Sequence, residues 1–188
     1  MKREFDSAKK LYTLSLLVKN IPGVVSQVSR LFSRKGYNIE SIASGASKEP
    51  GVTRITIVIR GDELMIDQIA AQCRKLLPVI AVKVLDNESS IQREFALIKV
   101  KAKDLNTRSE IIQIADIFRA NVIDVSRQTL TVAVFGGSDK TTAILDLLKE
   151  FGILEVVRTG TIAIERGRST IYDETKLKEE YNYGKNVL

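Results

Sequence analysis

The segment with the most pointed chemistry is Asn20-Ile21-Pro22-Gly23-Val24-Val25. Pro22 suits an early helical position, and Val25, Val28, Leu31 and Phe32 recur after it at helical spacing, so this turn opens a helix. The first N–H groups of a helix lack acceptors, and the dipole adds roughly half a positive charge there, an arrangement that attracts a carboxylate. Gly23 has no Cβ to hold a small anion off the backbone, and the Asn20 amide can meet either a ligand ammonium or its carboxylate. A free amino acid fits this chemistry. The same residues also fit a plainer role, with Asn20 as a helix cap and Gly23 shaping the turn.

Other residue patterns argue against catalysis. The chain has no histidine, which removes the commonest general base, triad partner and metal ligand. Its one cysteine, Cys73, falls on an apolar helical stripe and reads as a core thiol. Gly136-Gly137-Ser138-Asp139-Lys140-Thr141-Thr142 has the composition of a phosphate loop but not its spacing, because Asp139 stands where glycine must precede the lysine; a helix cap is the expected role.

Residues 11–19 read as a strand, and 24–34 as a helix stopped by Arg34, Lys35 and Gly36. Segments 37–43 and 52–60 make a hairpin, Ile66, Ile69, Ala70, Cys73 and Leu77 mark a second helix, and 79–85 is a fourth strand. The same β-α-β-β-α-β order returns after the polar stretch Asp86-Asn87-Glu88-Ser89-Ser90. It runs through a strand at 95–102, a helix behind the capping box Thr107-Arg108-Ser109-Glu110, strands at 122–125 and 130–135, a helix at 138–151 and a strand at 153–158. The expected fold is therefore α+β, with two ferredoxin-like βαββαβ units, each a four-stranded antiparallel sheet carrying two helices on one face. The expected divisions are an extension at 1–10, a first unit at 11–85, a linker at 86–92, a second unit at 93–165, and a charged tail at 166–188 with a short helix near 173–181.

Net charge is +6, from 29 basic and 23 acidic residues interleaved along the chain, which reads as a solvated surface and not a nucleic-acid face. Strands 52–60 and 79–85 also lack the aromatics on which RNA-recognition sheets stack bases. No apolar run reaches the ~20 residues of a membrane span, and the first ten residues lack a secretory apolar core, so a cytoplasmic protein is expected. Units of about 75 residues are near the lower limit for independent stability, which favours association.

Leu31-Phe32-Ser33-Arg34-Lys35-Gly36-Tyr37-Asn38-Ile39-Glu40-Ser41, with Arg93-Glu94, Ile117-Phe118-Arg119 and Ile123-Asp124-Val125, closely resembles the regulatory small-subunit family of acetolactate synthase, also called acetohydroxyacid synthase. The likeness runs from about residue 11 to residue 167. It implies that the first unit is an ACT domain, that two such domains pair side by side, and that a branched-chain amino acid, usually valine, lies at their interface. Carried over by resemblance, Asn20, Ile21, Gly23, Val24 and Val25 hold the effector from one chain, and Asn38 and Ile39 reach it from the partner. Ile21-Pro22 is less polar than the pair often found there. The resemblance also implies a large catalytic subunit that carries thiamine diphosphate, FAD and magnesium, none of them bound by this chain. The alternative is a stand-alone amino-acid-binding module that controls another enzyme or a transcription factor.

Overall fold

A computed structural model describes residues 10–174 of the chain. They form two compact units, one of residues 10–91 with 162–174 and one of residues 92–161. The expected tail helix lies outside the described residues from 175 onward.

The first unit runs β1 (Lys10–Lys19), α1 (Val24–Arg34), β2 (Ile39–Ala46), β3 (Val52–Gly61), α2 (Glu63–Lys75) and β4 (Val79–Leu85). The strands pair antiparallel in the order β2-β3-β1-β4. Leu14, Leu16 and Val18 of β1 and Ile55, Ile57 and Ile59 of β3 bury one sheet face against Val28, Phe32, Ile66, Ile69 and Cys73 of the helices. Thr13, Ser15 and Leu17, on the alternate side of β1, are also buried, so this central strand is covered on both faces.

That second cover comes from late in the sequence. Strand β9 (Ile162–Glu165) belongs to the first unit, whereas the sequence placed residues 162–165 at the end of the second. The Arg54 guanidinium donates to the Ala163 carbonyl at 2.7 Å, and Lys83 pairs with Glu165 at 2.8 Å. Ile171 packs with Leu17 and Ala81, and the Lys48 ammonium lies 4.1 Å from the Tyr172 ring centroid. Burial pushes the Arg54 guanidinium below its ordinary pKa, against the opposing pull of Tyr172 and Glu165. The four residues Ile162-Ala163-Ile164-Glu165 carried too short a strand signal to be read alone.

The second unit runs β5 (Ser90–Lys101), α3 (Leu105–Ile117), β6 (Asn121–Val125), β7 (Thr129–Gly136), α4 (Ser138–Leu148), a 3-10 turn (Lys149–Phe151) and β8 (Ile153–Arg158). Its sheet order is β6-β7-β5-β8. Ala96, Ile98, Val100, Leu130, Val132 and Val134 face Ile111, Ala115, Ile144 and Leu148 of the helices. The unit boundary falls inside β5, so the expected linker reduces to a turn in which Asp86 accepts N–H bonds from Glu88 and Ser89.

One cap differs from its expectation. The cap of α3 lies three residues before the predicted box, at Asp104, and the Asp104 carboxylate accepts from the Thr107 N–H at 2.8 Å and the Thr107 hydroxyl at 2.8 Å. A carboxylate is the better acceptor at a positive helix start, so it displaced Thr107 from that role. Bonds from the Thr107 and Ser89 backbones hold the Asp104 and Asp86 carboxyls below the ordinary 3.8. Their stabilisation is complete above that value and is lost as pH falls through the lower folded values. The difference in urea midpoint between the wild type and Asp104→Ala is therefore expected to hold constant from pH 7 to pH 5 and to narrow by pH 3. A difference that widened in acid would contradict the assignment.

Candidate functional site

The opening of α1 leaves a set of unused donors. Gly23 is the cap residue, at φ +80°, with no side-chain cap bond, so Asn20 does not cap this helix. The Val24 N–H reaches the Ile21 carbonyl at 3.3 Å, and the Gln27 N–H reaches the Gly23 carbonyl at 3.0 Å. The N–H groups of Gly23, Val25 and Ser26 have no acceptor among the described residues. Three such donors beside a helix start are an arrangement that can accept an anion. An ideal Cβ at Gly23 would meet nothing within 4 Å, so the space over the backbone is open.

The side chains around this turn divide by role. Asn20 is exposed, and its backbone N–H donates to the Gly51 carbonyl at 2.8 Å, which fixes the turn against the β2-β3 hairpin. Its side-chain amide has no partner among the described residues. Ile21 and Val25 are 45% and 43% exposed and present apolar surface beside the free N–H groups. Val24 is only 5% exposed and packs into the core, so its side chain anchors the helix. Gly51 escaped the sequence reading. The Lys19–Val52 register sets it against Asn20.

Asn38 and Ile39 lie elsewhere in the same chain. Ile39 pairs with Ile59 while Lys19 pairs with Val52, so the two ends are seven residues apart along β3, about 23 Å at ~3.3 Å per residue. Asn38 is exposed just before β2, and Ile39 packs half-buried against the core. Strand β2 is a sheet edge with Ile42 and residues 44–46 exposed.

The other candidates resolve as structure. Cys73 is fully buried, and burial pushes its thiol up to about 12. It is expected to resist an aromatic disulfide reagent at neutral pH and to react within minutes in 6 M urea, as read by thiolate release; fast reaction of the native protein would refute its burial. At the start of α4 the Lys140 ammonium donates to the Phe135 carbonyl at 2.9 Å, so it is committed to the turn. Among the described residues no three His, Cys, Asp or Glu side chains converge to hold a metal. No helix among them is long and apolar enough to cross a membrane.

On the second unit's open sheet face, Phe95 and Phe135 sit opposite each other on β5 and β7, 39% and 56% exposed. The absence of aromatics from β3 and β4 of the first sheet therefore does not extend to the second. Leu97 and Val157 flank them, and Lys99 pairs with Glu155 at 3.7 Å, so the face is apolar without a cationic track.

Comparison with known proteins matches residues 14–81 to a family described as the AHAS small subunit-like ACT domain, and residues 93–167 to one described as the small subunit of acetolactate synthase. The chain is 46% identical over 160 residues to the probable acetolactate synthase small subunit of Methanothermobacter thermautotrophicus, covering 85% of this chain and 95% of that one. It is 38% identical over 182 residues to the acetolactate synthase small subunit of Aquifex aeolicus, covering 96% and 91%. The crystal structure of the acetolactate synthase small subunit from Thermotoga maritima superposes with a TM-score of 0.79 at 40% identity, covering 85% of this chain and 99% of that one.

Proposed function

Since the chain belongs to the acetolactate synthase small-subunit family, we propose that it regulates a separate catalytic subunit, raising its activity and lowering it again when valine or a related branched-chain amino acid binds. The observation that carries the effector assignment is the trio of free N–H groups at Gly23, Val25 and Ser26 beside the unpartnered Asn20 amide. A zwitterion places its carboxylate on the N–H groups and its ammonium on the Asn20 oxygen, while Ile21 and Val25 take the branched side chain.

Completion of the shell needs a second copy. Two β2 edges running antiparallel about a two-fold axis bring Asn38 and Ile39 of one chain toward the Ala46 end of the other, which is the end where Asn20 lies. The β2 edge suits such pairing, because its residues 41–46 carry no charge that would block an added strand. Effector binding then couples to the arrangement of the dimer, and the coupling acts reciprocally between effector and catalytic subunit at ~1–3 kcal/mol. The catalytic partner carries the thiamine diphosphate, FAD and magnesium chemistry, and the apolar Phe95–Phe135 face is a surface it can cover.

The test is reconstitution. Mixed with the acetolactate synthase catalytic subunit of the same organism, the full chain is expected to co-elute with it, to raise its activity several-fold, and to make that activity fall on addition of valine. Co-elution without any response to valine, leucine or isoleucine would overturn the effector reading. Stable capture of an unrelated enzyme in place of that subunit would favour a stand-alone module.

A further inference from the structure

The helix face of the first unit holds a concavity away from the α1 start. Leu31, Phe32 and Ile69 form its floor, and Lys35, Gln68 and Gln72 stand around it with Tyr37 and Ala71. Its volume is about 170 Å³, small against drug-sized pockets of ~300–1,000 Å³, and so suited to a compact ligand.

How α1 ends explains why this pocket exists. Gly36 takes φ +70°, the Tyr37 N–H returns to the Phe32 carbonyl at 3.0 Å, and the Gly36 N–H returns to the Ser33 carbonyl at 3.1 Å. This is the two-bond glycine stop in which the residue after the glycine packs on the third residue from the helix end, here Tyr37 on Phe32. The Phe32 and Ser33 carbonyls are thereby satisfied by backbone, and the Lys35 ammonium is not needed to cap them. Among the described residues, the Lys35 ammonium, the Tyr37 hydroxyl and the Gln68 and Gln72 amides have no hydrogen-bond or ion-pair partner. One cation and three neutral polar groups thus surround an apolar floor, the composition of a ligand site and not of a packing defect.

The charge pattern selects the ligand. No aspartate or glutamate lines the pocket, so an ammonium would face Lys35 with only amide oxygens to pair with. An anion gains a charge-assisted bond from Lys35 and further donors from the amides and the phenol. We propose that this pocket binds a small monocarboxylate with a compact apolar body and no ammonium, such as a short-chain fatty acid. It is a second ligand site, independent of the effector turn at Asn20 and Gly23.

The test uses the full chain with ¹³C-labelled Leu, Ile and Ala methyls, titrated with 3-methylbutanoate. Saturable shifts are expected at Leu31, Ile69 and Ala71. Lys35→Met should raise the dissociation constant at least tenfold, and Ala71→Phe, at an exposed helix position, should abolish the shifts by filling the pocket. Asn20→Ala should leave them unchanged, and L-valine should not produce them, which separates this site from the effector turn. Shifts that do not saturate, that survive Lys35→Met undiminished, or that 3-methylbutanamide produces equally well would overturn the assignment. So would a pocket that responds only when the catalytic subunit is added, because its occupant would then be a protein side chain.

Discussion

Gly23→Asp is expected to raise the valine concentration for half-inhibition of the reconstituted enzyme by 100-fold or more, while activation in the absence of valine stays within twofold of wild type. Gly23 is the cap of α1, and aspartate is a favoured cap residue whose carboxylate bonds the N–H groups two and three positions into the helix. Here those are the donors of Val25 and Ser26, so the new side chain fills the anion site from within. It also repels an incoming carboxylate. The φ of +80° costs a residue with a Cβ about 1–2 kcal/mol, but aspartate tolerates that region better than most, no atom blocks its Cβ within 4 Å, and the new cap bond offsets part of the cost. The variant is therefore expected to melt cooperatively and several degrees below wild type, still well folded at the assay temperature, which separates loss of sensing from loss of folding. Asn20→Ala should raise the same midpoint about tenfold, since it removes one polar contact worth ~1–1.5 kcal/mol. An unchanged valine midpoint in both variants would exclude this turn as the effector site.

The periodic elements were legible because each buries a regular stripe. Leu14, Leu16 and Val18 against Ile55, Ile57 and Ile59 define a strand pair by alternation, and Val28 and Phe32 define α1 by helical spacing. The opening of α1 was legible only in part: the turn at residues 20–23 was read as a helix start, but Pro22 lies before the helix and Gly23, not Asn20, is its cap. What escaped depended on contacts distant in sequence. Strand β9 is held by Arg54 and Lys83, more than 70 residues before it, and nothing within Ile162–Glu165 announces those partners. Locally, Arg54 looks like an exposed strand residue, and only the Ala163 carbonyl explains its burial. The α1–α2 pocket was hidden for the same reason, since Lys35 and Gln72 belong to unremarkable helix surfaces until the fold sets them side by side.

Arg158→Ala is expected to destabilise the second unit by about 3 kcal/mol, the lower end of the ~3–5 kcal/mol cost of stranding one member of a buried ion pair. Glu94 is 4% exposed at its side chain, and the Arg158 guanidinium meets its carboxylate at 2.5 Å across the β5-β8 pairing, where Arg158 stands opposite Ala96. The arginine is 37% exposed, so water reaching through the space it leaves will relieve part of the penalty, which is why the lower end applies. For a unit of this size 1 kcal/mol corresponds to ~4–8 °C, so the loss should appear as a melting shift of roughly 12 °C or more. The pair itself adds little net stability once its desolvation is counted, and replacing both members with uncharged groups of similar size is near neutral. Glu94→Gln combined with Arg158→Met should therefore recover most of the loss, and calorimetry of the wild type, the single variant and the double variant decides the matter. A single variant that melts within 3 °C of wild type would mean that Glu94 is solvated and the pair is a surface contact. A double variant as unstable as the single one would mean that Arg158 acts by packing along β8 and not by neutralising Glu94.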